Sequence, residues 1–158
     1  MNYRFAEDKD KVGISQVLEN SFDSTYAYYA QKSFASLENS LIAEEDGVAG
    51  VTNWKIIHSN SDKIGYIFWL AVHPDYRRKG IGEGLIQEAI NCMQKEAGSL
   101  DIYSATDKDN IPMHKLFGKM GFTPDGRSVI KKKYGVRCLQ LYSRMMLMPW
   151  EVLFIKPG

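Results

Sequence analysis

Apolar residues change their spacing several times along the chain, and each change marks an element. Asn2 to Ala6 reads as a short first strand. From Asp8 the spacing turns helical, with Ile14, Val17, Leu18 and Phe22 on one face. A second helical stretch follows from about Ser24 to Asn39, its apolar side formed by Tyr26, Tyr29, Ala30, Phe34 and Leu37. Leu41 to Glu45 and Val48 to Ile57 read as two strands, joined at Asp46-Gly47 by a type I′ hairpin turn, which needs positive φ at its central residues. After a polar loop from His58 to Lys63, residues 64–72 are apolar on both alternating faces, which predicts a central strand covered on both sides.

The remaining pattern predicts a helix over residues 82–95 with Ile81, Leu85, Ile86, Ala89, Ile90 and Met93 as its buried stripe. A strand over residues 100–105 and a short helix from Pro112 to Met120, stopped by Gly121, come next. Residues 126–134 and 136–148 read as a final pair of strands turning at Gly135. The helix crossing between residues 64–72 and 100–105 argues for parallel pairing of those two strands.

Composition narrows the class. A chain of 158 residues with 44% hydrophobic and 25% charged residues is a globular protein, with room for a single domain over residues 1–158. Net charge is +1, so the broad basic field of a nucleic-acid-binding protein is absent and such a partner is not expected. Cys92 and Cys138 lie far apart, and His58, His73 and His114 are scattered. That predicts no metal site and a reducing, cytoplasmic setting. The apolar runs are too short for a membrane helix, and Met1 to Phe5 does not resemble a signal peptide.

The segment that carries chemistry is Val72-His73-Pro74-Asp75-Tyr76-Arg77-Arg78-Lys79-Gly80-Ile81-Gly82, between a buried strand and a helix start. A helix N-terminus presents unpaired N–H groups and a positive dipole end. Glycines allow close backbone approach, and three cations add charge. The combination describes a phosphate or pyrophosphate site. No GxxxxGK[ST] string is present, and GxGxxG fails because position 85 is Leu85.

Leu70-Ala71-Val72-x-Pro74-x-Tyr76-Arg77-Arg78-x-Gly80-Ile81-Gly82 resembles motif A of the GNAT superfamily of acyl-CoA-dependent N-acetyltransferases. Asn110-x-x-Met113-x-x-Leu116-Phe117-x-Lys119-x-Gly121-Phe122 resembles that family's following motif. The resemblance implies an α/β (α+β) fold with a mixed, largely antiparallel seven-stranded sheet, about four flanking helices, and a parallel, splayed central pair (64–72 and 100–105). It implies acetyl-CoA as co-substrate in the gap of that pair, and direct attack by a primary amine. The backbone of Arg77, Arg78, Lys79, Gly80, Ile81 and Gly82 would hold the pyrophosphate. Leu70, Ala71 and Val72 would pair with the pantetheine arm, with the Val72 N–H polarising the thioester carbonyl. Asn110 would bond the pantetheine or cap the helix at Pro112, and Phe117 would lie beside the sulfur or pack in the core.

The match has two departures. Phe117 stands where the family commonly has a tyrosine thought to protonate the leaving thiolate, and Met113 replaces a small residue. A thiol of pKa ~8.5 leaves as thiolate at pH 7 for about 2 kcal/mol, and Tyr103, Tyr134 or Tyr142 offers another hydroxyl. For the general base, Glu44 and Glu45 are weak candidates, followed by Asp107 and Asp109. Tyr26, Tyr28 and Tyr29 border the acceptor pocket or pack internally, and Lys131-Lys132-Lys133 is expected to guard an edge strand. The acceptor is a small-molecule or protein amine, and a homodimer stays open. The alternative function is a catalytically degenerate acyl-CoA-binding sensor or scaffold.

Overall fold

A strand apolar on both faces needs cover on both faces, and Ile64, Tyr66 and Ile67 are buried on theirs. The computed structural model describes all residues, Met1–Gly158. Its elements run β1 (Asn2–Phe5), α1 (Lys11–Ser21), α2 (Ser24–Ser33), β2 (Ser40–Glu45), β3 (Gly47–Ser59), β4 (Asp62–Val72), α3 (Ile81–Ala97), β5 (Ile102–Asp107), α4 (Ile111–Lys119), α5 (Gly126–Tyr134), α6 (Cys138–Arg144) and β6 (Glu151–Lys156). The strand order is β1-β2-β3-β4-β5-β6. Pairs β1–β2, β2–β3 and β5–β6 are antiparallel, and β4–β5 is parallel as expected. The sheet is mixed, with six strands rather than seven. No helix is long and apolar enough to cross a membrane. The chain divides into two compact units, Met1–Trp54 with Trp69–Cys92, and Lys55–Phe68 with Met93–Gly158.

In the first unit, Ile14, Val17 and Leu18 of α1 pack with Ala30 and Phe34 and with Ile42, Val51 and Ala71 from the strands. Helix α2 stops earlier than expected, at Ser33, and beyond it Leu37 and Asn39 adopt left-handed φ of 57° and 49°. The hairpin at Asp46-Gly47 is present, with Glu45 opposite Gly47. It is not a type I′ turn: Gly47 has φ of 106° but Asp46 stays at negative φ. A bulge between Ala43 and Glu44 takes up the offset. Helix α3 buries the predicted stripe, Ile81, Leu85, Ile86, Ala89 and Ile90.

Arg4 ties this unit together near its start. Its guanidinium donates to both Asp10 carboxylate oxygens at 2.9 Å and through Nε to Glu44 at 2.8 Å. Asp10 is buried, and the Arg4 hydrogen bond holds its carboxyl below the usual range.

In the second unit, Gly65, Tyr66 and Ile67 of β4 register with Ile102, Tyr103 and Ser104 of β5. The Ser104 hydroxyl donates to the Ile67 carbonyl at 2.9 Å. The expected strands over 126–134 and 136–148 are instead the helices α5 and α6. Their buried residues, Ile130, Tyr134, Cys138, Leu141 and Met145, recur at steps of three and four, which is helical spacing. Gly135, expected as a hairpin turn, is the C-cap of α5 at φ of 58°. Lys131, Lys132 and Lys133 therefore guard no edge strand. They occupy the last turn of α5, where cations complement the helix dipole. Lys133 also lies 3.5 Å from Asp62 and 3.6 Å from Asp101. The last strand is β6, over residues that the sequence pattern left unassigned.

Asp10 loses its proton more readily when folded than when unfolded. Its stabilisation is complete above about pH 4 and drains away as pH falls through the lower folded-state value. Asp10→Asn should lower the melting temperature at pH 7 and flatten its fall between about pH 4 and pH 2. Thermal melts of both proteins across that window measure the difference.

Candidate functional site

The end of β4 has a fixed direction. The His73 N–H donates to the Ala49 carbonyl of β3 at 2.8 Å. The Val72 carbonyl, on the other side of the same peptide plane, therefore faces away from β3. It accepts Arg77 Nε at 3.0 Å and the Ser21 hydroxyl at 3.4 Å. One peptide earlier, the Ala71 carbonyl lies 3.1 Å from where a Cβ on Gly50 of β3 would stand. The Val72 N–H thus points away from β3 as well. Leu70 and Val72 are half-buried.

After Val72, a short 3₁₀ turn, Pro74–Tyr76, is capped by His73 Nδ1, which accepts the Asp75 N–H at 3.1 Å. The chain then takes two left-handed residues, Arg78 at φ 64° and Gly80 at φ 75°, on either side of Lys79. Alternation of this kind turns successive N–H groups toward one side and makes a nest for anions. The left-handed conformation costs an arginine on the order of 1 kcal/mol, which the surrounding structure must offset. A Cβ built on Gly80 would meet no atom within 4 Å, so the space beside this backbone is open. The Gly84 N–H closes the first helical bond onto the Gly80 carbonyl at 3.0 Å. Ile81 and Gly82 sit in the first turn of α3, where N–H groups have no carbonyl within the helix. Arg77, Arg78 and Lys79 are all exposed, with Lys79 Nζ 5.3 Å above the Tyr76 ring.

Other candidates in the first unit are placed differently. Glu44 is held by Arg4, whereas Glu45 is exposed at the end of β2. Tyr26 packs with Phe22 and Trp69. Tyr28 and Tyr29 are 55% and 43% exposed and stack edge to face.

In the second unit, Asn110 caps α4, its Oδ1 accepting the Met113 N–H at 3.3 Å. The carboxamide NH₂ is not used by the cap. Phe117 is 2% exposed, its ring 5.1 Å from Phe122 and 4.9 Å from Phe154, so aromatic packing accounts for it. The three alternative hydroxyls fare unequally. Tyr134 donates to Asp62 at 2.7 Å and Tyr142 to the Arg127 carbonyl at 3.0 Å, while the buried Tyr103 hydroxyl has no partner. Burial pushes all three phenols up. Asp107 accepts the Asp109 N–H at 2.9 Å, shaping the turn before Asn110.

Sequence reasoning passed over one carboxylate. Glu151 opens β6 directly opposite Asp107 of β5. Its Oε1 accepts the Met148 N–H at 2.9 Å, and burial raises its carboxyl above the ordinary value. The available signal was a lone acid within the apolar run Trp150 to Ile155.

A strand end with an outward N–H, a basic left-handed turn and a helix start together make a strand–loop–helix unit suited to an anion. The sequence pattern of the Acetyltransferase (GNAT) family matches residues 11–122, and the chain belongs to that family. N-alpha-acetyltransferase 30 of Xenopus laevis is 28% identical over 142 residues, covering 87% of this chain and 52% of that protein. The chain thus spans about half the length of this relative, and 39% of the human one, which is 27% identical. Among solved structures, the NatC complex bound to Gag peptide and CoA superposes with a TM-score of 0.74 at 22% identity, covering 99% of this chain and 98% of that one. An N-acetyltransferase of Thermoplasma acidophilum in complex with coenzyme A gives 0.71 at 16% identity, covering 99% and 98%. These likenesses show the fold.

Gly80 holds positive φ and Arg78 does so at a steric cost. Gly80→Ala should therefore destabilise by about 1–2 kcal/mol, whereas Arg78→Gly should be neutral or stabilising. Urea denaturation of the two variants reads the opposite signs.

Proposed function

We propose that this chain is an acetyl-CoA-dependent N-acetyltransferase, working as one domain. The observation that carries the reading is the open, left-handed basic turn from Arg78 to Gly80, which leads from an outward-facing Val72 N–H straight into α3. The donor set suits a diphosphate: backbone N–H groups from Arg77 to Gly82, a helix start of the right polarity, and three exposed cations. Charge-assisted hydrogen bonds contribute about 1.5–3 kcal/mol each, so a few of them anchor a nucleotide. Leu70, Ala71 and Val72 offer a strand edge to the pantetheine amides. The Val72 N–H polarises the thioester carbonyl, a contact whose loss elsewhere costs about 10²–10³ in rate. The Asn110 carboxamide NH₂, not used by the cap, is available to a hydrogen-bond acceptor.

The acceptor we favour is the α-amine of a protein or peptide. The similarity to N-alpha-acetyltransferase 30 and the peptide bound in the NatC complex support it. So does energetics. Freeing a lysine amine of its proton at pH 7 costs about 4.6 kcal/mol, but an α-amine only about 1–1.4 kcal/mol. A second reading, an acyl-CoA-binding module without turnover, draws on Phe117, which has no proton to donate.

Thiol release from acetyl-CoA with a peptide panel tests both. We expect turnover on free α-amines that exceeds turnover on N-blocked lysine peptides at pH 7. Tight CoA binding with no thiol release would select the binding module, and no CoA binding would refute both. Phe117→Tyr should raise kcat by no more than about 30-fold, the equivalent of the ~2 kcal/mol cost of thiolate departure.

A further inference from the structure

We propose that the outer face of α5 and α6 docks this protein onto an anionic lipid surface. The proposal goes beyond acyl transfer and does not depend on it.

The first observation is charge. Residues 126–150 carry six cations, Arg127, Lys131, Lys132, Lys133, Arg137 and Arg144, and no carboxylate. The whole chain has a net charge of +1, so this stretch at +6 stands against −5 for the remainder. Only part of that charge is answered locally. Lys133 is shared between Asp62 and Asp101. Arg137 donates to the Ser59 hydroxyl at 3.4 Å and Arg144 to the His58 carbonyl at 2.5 Å, and both partners are neutral. Such bonds hold a guanidinium in place without cancelling its charge. Lys131 and Lys132 are exposed.

The second observation is apolar surface on the same two helices. Helix α6 and the residues flanking it turn Cys138, Leu141 and Met145 into the core. The opposite side presents Val136, Leu139 and Met146 at 88%, 71% and 47% exposure. Their separations of three and seven residues keep to one helical face. Gly135, which ends α5 at φ of 58°, makes the corner on which Val136 stands. Side chains this exposed project from the surface and line no groove.

The chemistry of the face selects its occupant. A second copy packed through the same face would set like charge against like charge. A single-stranded nucleic acid would answer the cations, but its bases stack on aromatic rings, and the projecting side chains here are aliphatic. A partner helix seats itself in a groove. A headgroup layer satisfies both observations at once. Anionic headgroups attract the lysines and arginines, and the acyl boundary takes up projecting aliphatic side chains whatever their outline. A face this short gives reversible attachment that salt weakens.

Sedimentation of the full chain with vesicles of phosphatidylcholine, with and without phosphatidylserine, tests the proposal. Binding should require phosphatidylserine and should fall about 10-fold or more between about 0.1 M and about 0.5 M salt. Val136→Ser with Leu139→Ser, and separately Lys131→Glu with Lys132→Glu, should each weaken binding about 10-fold or more. Melting temperatures should hardly move, because all four side chains are exposed. Lys9→Glu with Lys11→Glu makes the same change in net charge away from this face and should stay within about threefold of the native chain. No binding to phosphatidylserine vesicles would overturn the proposal. So would binding that survives both α5–α6 pairs, or that the Lys9 and Lys11 pair weakens equally. Binding to polyglutamate or to an RNA oligonucleotide, with none to vesicles, would overturn it in favour of an acidic protein or RNA. Should the Val136 and Leu139 pair fail to fold, the Lys131 and Lys132 pair against its control decides. Thiol release is a separate readout, and its absence would strike the acyl-transfer reading alone.

Discussion

A peptide plane has one direction, and a single hydrogen bond at the end of β4 sets it. Once the His73 N–H is committed to Ala49, the Val72 carbonyl must face away from β3, where Arg77 caps it. That cap draws Arg77 back toward the strand. The chain then has to turn sharply to launch α3, and it does so through two left-handed residues with an exposed lysine between them. Strand polarity, turn conformation and helix start are consequences of one another. The suitability of the loop for an anion follows from that geometry as much as from its cations, because N–H groups turned to one side cannot all be paired within the chain.

The sequence made the segment from residue 64 to 122 readable because its signals agreed. A strand apolar on both faces, a glycine-punctuated turn and a clean helical stripe from Ile81 to Met93 all pointed to the same unit. Asn110 was legible as a cap for the same reason: an Asn just ahead of Pro112 has little else to do locally. Residues 126–148 were misread because local composition conflicted with period. Gly135 suggested a turn between two strands, 126–134 and 136–148. The spacing of Ile130, Tyr134, Cys138, Leu141 and Met145 carried the opposite message, and packing followed the spacing. Glu151 was hidden for a different reason. Its environment depends on the pairing of β5 with β6, a long-range contact that no local pattern announces.

Burial shapes the proton chemistry of the second unit. Tyr134 and Tyr142 spend their hydroxyl protons on Asp62 and on the Arg127 carbonyl. The Tyr103 hydroxyl keeps its proton but lies in an apolar core, where an unmatched polar group costs about 1–3 kcal/mol. None of the three is suited to protonating a leaving group, since burial has moved each further from neutrality. Phe117, meanwhile, is surrounded by other rings. The absence of a strong acid is tolerable for a thiolate and would not be for an alkoxide.

The same reasoning bears on the acceptor of the proposed transfer. A carboxylate raised by burial remains a modest base, well short of the strength that an ordinary lysine demands. An α-amine near pKa 8 is already about one-tenth free at pH 7. In the proposed transfer a base then needs only to collect the proton released as the bond to carbon forms, when the nitrogen has become strongly acidic. Glu44, bound by Arg4, is poorly placed to share that work. Under the proposed acyl transfer, a weakly basic acceptor and a good leaving group ask least of the general acid and base, and a chain's terminal nitrogen and a thioester are such a pair.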